Sequence, residues 1–333
     1  MRLNVGLLGG GSWGTTVAAV AARNAPVTLW ARDAETVAEI NRDHRNSRYL
    51  PDAALPAGLR ATGDLEEAVR GADVVVIGIP SHSFGAVLTE IEPLIRPWVP
   101  VVSLTKGLDP ETGMRMSELV AERLPGHPVA VLSGPNLARE VMQGRAAASV
   151  IAMEDPLIVK ELQRLFHSGL FRVYTNPDVV GCELGGVLKN VIAIAAGMGD
   201  GLGAGDNTRS ALITRGLAEV TRLGVTLGGR PETFAGLAGM GDLIATCTSP
   251  LSRNRHVGTE LAKGRSLDEI IADMRMVAEG VKTTPLVTAL AEKHGVSMPI
   301  SQDVHDVLTG RKAAADVFKG LIRSAAGSEA EAG

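Results

Sequence analysis

Residues 3–23 read LNVGLLGGGSWGTTVAAVAAR. A short apolar strand runs into Gly9-x-Gly11-x-x-Gly14 and then into a helix of small residues. Each glycine has its own steric task. Gly9 permits a tight turn out of the strand, Gly11 lets the backbone approach a pyrophosphate, and Gly14 lets the helix pack close to the strand with its N-terminus toward the anion. PVTLW at 26–30 follows as a second strand and closes a βαβ unit of the length this fingerprint demands. No Lys-Ser or Lys-Thr follows the glycines, which excludes a Walker-type ATP site. The stretch therefore predicts an α/β protein that opens with a Rossmann-type, mostly parallel sheet.

The same residues imitate a secretory signal, because no charge appears between Arg2 and Arg23 and AAVAA at 18–22 resembles a cleavage site. Glycines 9, 10, 11 and 14 would interrupt such a hydrophobic helix, so the dinucleotide reading stands. The second strand ends in Ala31-Arg32-Asp33. An acid here holds the ribose diol of NAD, whereas an arginine accepts the extra phosphate of NADP. With Arg32 first, NADP is favoured and NAD tolerated.

At 333 residues the chain exceeds the size at which one core keeps growing, so two domains are expected: a dinucleotide-binding domain over 1–177 and a helical substrate domain over 178–325, with a flexible tail at 326–333. A formal net charge of -4 without a basic run argues against nucleic acid or an anionic membrane surface as partner, and aromatics at 3% argue against base stacking. No stretch reaches the 18 or more consecutive apolar residues of a membrane span, so membrane insertion is not expected. Cys182 and Cys247 form no C-x-x-C pair, which suits a cytoplasmic protein and provides no metal framework.

Further apolar runs lie at 72–80, 99–105, 128–134 and 147–153 (ADVVVIGIP, VPVVSLT, PVAVLSG and AASVIAM), as strands of a parallel sheet covered on both faces require. Ligands gather at the carboxyl ends of such strands. Lys106 in LTKGL falls there, as do Ser81-His82-Ser83 and Asn136, which opens NLAREVM after Gly134-Pro135. His82 reads as a loop histidine. Lys106 is the better candidate, since a cation at a strand terminus suits an anionic or carbonyl substrate.

From about Asp178 helical segments take over. ELGGVLKNVIAI at 183–194 sets Lys189 and Asn190 in an apolar helix behind two glycines, a placement that calls for either a snorkelling stem or a chemical task. The glycine pair is read as room for cofactor and substrate to approach. GMGDGLGAGDN at 197–207 reads as too glycine-rich for a regular element and lacks calcium-loop spacing. GLAGMGDLIATCTSPLSRNRHVG at 236–258 crowds Asp242, Thr246, Ser252, Arg253 and Asn254 among small residues, where arginine and asparagine could grip a phosphate or carboxylate.

Taken in order, GGGSWG, VVSLTKGL, SGPNLARE, ELGGVLKNVIAIAAGMGDGLG and GMGDLIATCTSPLSRNR resemble the NAD(P)-dependent glycerol-3-phosphate dehydrogenases of the bacterial soluble type, over roughly residues 3–320. Asn136 stands where many relatives carry threonine. The resemblance implies reversible reduction of dihydroxyacetone phosphate to sn-glycerol 3-phosphate for phospholipid synthesis, with Lys189 as proton donor and acceptor and Lys106 and Asp242 beside it in catalysis. It implies substrate contacts at Lys106, Gly134, Asn136, Lys189, Asp242, Ser252, Arg253 and Asn254, with Asn190 and Thr246 lining the same pocket. For NADP or NAD it implies Ser12, Trp13, Arg32, Lys106, Ala138, Arg253, Val277 and Glu279. A homodimer is implied as well.

Two other readings compete. A β-hydroxyacid or 6-phosphogluconate-type dehydrogenase also joins a Rossmann domain to a helical one, but it looks for Lys-x-x-x-Asn, whereas Asn190 follows Lys189 directly and residue 193 is Ala. A non-catalytic NADP-sensing protein has no need of Lys106, Lys189 and Asp242 together.

Overall fold

The computed structural model describes residues 3–274 and 276–317. The tail expected at 326–333, and the end of the helical domain expected at 325, lie outside the described residues. The chain divides into two compact units between Val179 and Val180.

The first unit holds one eight-stranded sheet: β1 Val5–Leu8, β2 Val27–Trp30, β3 Leu59–Thr62, β4 Val74–Ile77, β5 Val101–Ser103, β6 Val129–Ser133, β7 Ala147–Ala152 and β8 Phe171–Asn176. Their spatial order is β3-β2-β1-β4-β5-β6-β7-β8, so the order reverses between β1 and β4. A crevice opens at the carboxyl ends of strands at such a reversal. Helices α1 Ser12–Ala21, α2 Ala34–Asp43, α3 Leu65–Val69, α4 Phe84–Ile91, α5 Met116–Arg123, α6 Ala138–Met142 and α7 Ile158–Phe166 connect the strands. Two buried apolar clusters form the core. One gathers Leu7, Val76 and Phe166, the other Leu8, Val75 and Phe84. Neighbouring strand residues thus point to opposite faces, each covered, which is why the strands read as unbroken apolar runs.

Two details depart from the sequence reading. β7 runs antiparallel to β6, with Val131 opposite Ala152 and Ser133 opposite Val150, whereas AASVIAM was expected among the parallel strands. A strand covered on both faces reads alike in either direction, so apolarity carries no sign of polarity. The two edge strands, β3 (LRAT) and β8 (FRVYTN), were not anticipated, because edges need only one apolar face and here alternate with polar residues.

The second unit is helical among its described residues: α8 Val179–Gly201, α9 Asp206–Thr226, α10 Pro231–Phe234, α11 Asp242–Thr248, α12 Arg253–Ala262, α13 Leu267–Asp273, α14 Glu279–Lys293 and α15 Pro299–Leu308. α8 is buried from Gly181 to Met198. It is long and apolar enough to cross a membrane, but 89% of its most apolar window is buried inside the protein, as in the core helix of a helical domain.

α8 also corrects an expectation. The glycine-rich run at 197–207 was read as irregular, and residues 202–205 are, yet the helix continues through Gly197, Gly199 and Gly201 before them. A methyl group on Gly197 would lie 1.9 Å from the carbonyl oxygen of Arg255, and one on Gly201 would lie 2.6 Å from Cβ of Ala262. On the α12 side, a methyl on Gly258 would lie 2.0 Å from the Ile194 carbonyl oxygen. The glycines let two helices cross nearly backbone to backbone, and this packing outweighs a helix cost of about 1 kcal/mol per glycine.

Candidate active site

In the first unit the glycine loop has the geometry its spacing predicts. Gly9 leaves β1 with φ +127°, where its N–H donates to the Trp30 carbonyl at 3.0 Å and a methyl would strike the Gly78 carbonyl oxygen at 2.4 Å. Gly14 sits under Gly9, and its own methyl would lie 2.0 Å from the Gly9 oxygen. Gly11 differs. Its φ and ψ are ordinary extended values, and nothing lies within 4 Å of where a methyl would stand. Gly11 is also the N-cap of α1, and no side chain caps that terminus. Ser12 and Trp13 form the first helical turn. Open space beside a helix N-terminus with uncapped N–H groups suits a pyrophosphate, so the residues present fit a dinucleotide.

Arg32 is exposed just past β2. Asp33, the alternative ribose partner, is occupied: as N-cap of α2 its Oδ2 accepts from the Thr36 N–H at 2.9 Å and from the Thr36 hydroxyl. These hydrogen bonds from Thr36, with a smaller contribution from Arg48, hold its carboxyl below the usual range. A residue the sequence did not reveal is Asn46, buried in the loop after α2. Its Nδ2 donates to the Gly10 carbonyl and to Thr15 Oγ1, each at 2.9 Å, so a distant loop braces the glycine turn. Nothing in a polar surface-like stretch signals that task.

At the carboxyl ends of β5 and β6, Lys106 Nζ donates to the Gly134 carbonyl at 2.8 Å. Gly134 has φ +131°, a conformation that strains any side chain. Asn136 Oδ1 accepts from Ser149 Oγ at 3.3 Å, while its Nδ2 is buried with no partner among the described residues. Trp13 Nε1 and Ser133 Oγ are buried and unmet in the same sense. Such orphans cost about 1–3 kcal/mol each and point to groups that arrive with a ligand. Ala138 begins α6.

In the second unit Lys189 does not snorkel. It is 6% exposed, and its Nζ donates to Asp242 Oδ1 at 2.7 Å and to Thr246 Oγ1. Asp242, 2% exposed, begins α11 directly after a π-helical turn at Leu237–Gly241, a rare element often found at functional sites. Gly185 explains the approach: a methyl there would lie 2.6 Å from the Ala238 carbonyl oxygen. This corrects the reading of Gly185 as room for a ligand. It makes room for the turn that delivers Asp242 to Lys189. Burial pushes the neighbouring Cys247 thiol up to about 12, so that sulfur is a poor nucleophile at neutral pH.

Asn190 turns elsewhere. Its Nδ2 donates to the Gly186 carbonyl, and its Oδ1 accepts from Asn254 Nδ2 at 2.8 Å. Asn254 Oδ1 in turn accepts the Gly280 N–H at 3.0 Å, so the two amides join α8, α12 and α14. Ser252 is the N-cap of α12, its hydroxyl accepting from the Arg255 N–H. Arg253 is the first residue of that helix, with Nη1 donating to the Val277 carbonyl at 2.7 Å. Desolvation pulls the guanidinium below its ordinary range and Glu279, which begins α14, pulls it back; because the residue's surface is exposed, no large charge penalty follows. Two clusters thus emerge in this unit, a buried Lys189–Asp242–Thr246 set and an α12 terminus carrying Ser252, Arg253 and Asn254.

Comparison with known proteins accounts for both units. Residues 4–158 match the family model for the NAD-dependent glycerol-3-phosphate dehydrogenase N-terminus, and residues 178–319 match that for its C-terminus. A glycerol-3-phosphate dehydrogenase of Sphingopyxis alaskensis, specified for NAD(P)+, is 70% identical over 333 residues, covering 100% of both chains. One from Mycobacterium tuberculosis is 54% identical over 324 residues, 97% of this chain and 95% of its own. Among solved structures, the glycerol-3-phosphate dehydrogenase of Coxiella burnetii superposes with a TM-score of 0.93 at 40% identity, covering 97% of this chain and 99% of that one. From its first glycine turn to its last described helices, the chain belongs to the NAD-dependent glycerol-3-phosphate dehydrogenase family.

Proposed function

We propose that Lys189 is the proton donor and acceptor in the interconversion of dihydroxyacetone phosphate and sn-glycerol 3-phosphate, and that the first turn of α12 holds the substrate phosphate. The observation that carries this reading is the buried ion pair of Lys189 with Asp242. An ion pair out of water is a weak device for stability, because desolvation offsets most of the attraction, so its retention argues for a chemical task. The nicotinamide, when bound, supplies or accepts the hydride at the carbinol carbon. The chain must then stabilise and protonate the alkoxide. Lys189 Nζ, fixed by Asp242 and Thr246, gives its proton to that oxygen in reduction and takes it back in oxidation. Burial of α8 keeps water from around the ammonium, so its remaining donors act on the developing oxyanion in a medium that screens them weakly, with Asp242 holding the ammonium in place.

At α12 Ser252 caps the Arg255 N–H, the N–H groups of Arg253 and Asn254 have no intrahelical acceptor, and Arg253 adds a fork of donors for phosphate oxygens. Asn254 serves there through its place in the helix, while its amide ties the three helices. Lys106, Gly134 and Asn136 are assigned to the substrate, and the Gly9–Gly14 loop, Ser12, Trp13, Arg32, Ala138, Val277 and Glu279 to NADP or NAD. We extend the proposal to a cytoplasmic homodimer that feeds phospholipid synthesis; the two buried free cysteines suit a reducing compartment.

The phosphate assignment is tested with Arg253→Ala. Removing one partner of a buried, hydrogen-bonded charge pair, which Arg253 becomes only when the phosphate covers it, typically costs about 2–5 kcal/mol, so kcat/KM for dihydroxyacetone phosphate should fall very roughly 30- to 4,000-fold. Arg253→Lys should recover only part, keeping the charge and losing the fork. Unphosphorylated dihydroxyacetone should be turned over equally poorly with and without the mutation. Equal losses toward both ketones would move Arg253 to the cofactor or the fold.

A further inference from the structure

The glycine-rich end of α8 takes no part in the chemistry above, yet it carries one acid in a buried place. The Asp200 side chain is 8% exposed and lies between two arginines. Its Oδ2 accepts from Arg255 Nε at 2.6 Å, and its Oδ1 accepts from Arg209 Nε at 2.9 Å and Nη2 at 2.7 Å. Arg209 comes from the first turn of α9, where its Nη1 also holds Asp206 at 2.6 Å. Arg255 comes from the first turn of α12, as Arg253 does.

Buried ion pairs return little net stability, but they can fix one arrangement among several. Such a fixing is needed here. Side chains normally set how helices cross, as ridges in grooves. At this crossing Gly197, Gly201 and Gly258 have removed them, and polar contacts set the rotation of α12 against α8 instead: Asn254 Nδ2 to Asn190 Oδ1 at 2.8 Å, Thr259 Oγ1 to the Gly197 carbonyl at 3.2 Å, and Arg255 to Asp200 as the one ion pair among the three. Asp200 supplies a directional hold at that point. The residue it grips is also the one whose N–H the Ser252 hydroxyl caps, so a turn of Arg255 about the α12 axis carries the helix start and Arg253 with it.

We infer that Asp200 is a positioning residue for the substrate phosphate: by holding Arg255 it sets the rotation of α12 and therefore the aim of Arg253. The inference rests on the reading of the α12 terminus as the phosphate site. Arg209 holds the same carboxylate from α9 and serves as an internal control.

Asp200→Asn keeps the side-chain size but turns one acceptor into a donor facing an arginine. It should raise KM for dihydroxyacetone phosphate tenfold or more, while turnover of unphosphorylated dihydroxyacetone stays within twofold. Arg255→Ala, which breaks the link from the other side, should give the same pattern. Arg209→Ala removes two bonds to Asp200 and should lower Tm with KM within twofold. In an Arg253→Ala background, Asp200→Asn should cost nothing further. If Arg209→Ala raises KM as much as Arg255→Ala, the cluster serves stability alone and the inference fails. Multiplying losses in the double variant would equally overturn it. Should Asp200→Asn not fold, the contrast between Arg255→Ala and Arg209→Ala decides the matter. If Arg253→Ala fails to discriminate the two ketones, the phosphate reading itself falls and this inference with it, an outcome recognisable before Asp200 is touched.

Discussion

One glycine of the sheet unit and three of the helical unit do opposite things. In the sheet unit Gly11 stands beside open space at a helix start, whereas in the helical unit the places that side chains would take at Gly185, Gly197 and Gly258 are already filled by backbone of another element. The two candidate sites also handle charge differently. The glycine loop offers uncapped backbone N–H groups, while the site of the helical unit buries the charged pair Lys189 and Asp242. A surface that recognises a cofactor's phosphates can be built from backbone, because N–H groups are everywhere and need only be exposed. Proton transfer needs one titratable side chain held at one point, and a packed helical interior can hold it.

The contrast is sharpest at Lys189. If its burial exists for chemistry, Lys189→Ala should leave NADPH affinity unchanged and cut kcat by about 10²- to 10⁴-fold, the usual contribution of a general acid. A variant with a third of wild-type kcat would make the lysine a structural cation and dissolve the division. Next in size is Gly258→Ala. Its methyl would meet the Ile194 oxygen at 2.0 Å and the Met198 nitrogen at 2.7 Å, so stability should fall by at least the roughly 1–3 kcal/mol typical of overpacking. Denaturant midpoints measure this, and an unchanged midpoint would show that the helix crossing is looser than its glycines suggest.

Gly11→Ala should behave in the reverse manner. Its backbone conformation suits alanine and its surroundings are open, so the denaturant midpoint should hold or rise slightly while Kd for NADPH rises about tenfold, or roughly 1.4 kcal/mol. Unaltered NADPH affinity would break the comparison from the sheet side. The smallest effect is expected at Glu219, whose carboxylate accepts from the Ile300 N–H at 2.6 Å and from the N–H and hydroxyl of Ser301. Burial pushes its pKa above the ordinary 4.5, and these bonds pull it back only in part. The folded state therefore prefers the protonated acid, and stability is lost as pH rises from about 4.5 through the raised value. Measured as Tm, the advantage of wild type over Glu219→Gln should grow as pH falls from 7 toward 5. A difference that shrinks over that interval would mean that the carboxylate is stabilised by its site.

The sequence by itself determined the glycine loop and the sheet-then-helices plan in two units, and it singled out Lys189, Asp242 and Arg253 as candidates. It could do so because a strand, a glycine turn and a helix terminus are local, and because a lysine among apolar residues is anomalous wherever the chain folds. Tertiary structure alone decided the rest. Lys189 finds Asp242 across 53 residues, and Asn46 reaches Gly10 across 36. The glycine run after Lys189 reads locally as a helix breaker, since its cost is local. The α12 backbone that makes it a helix lies far along the chain, and close packing there repays what each glycine loses.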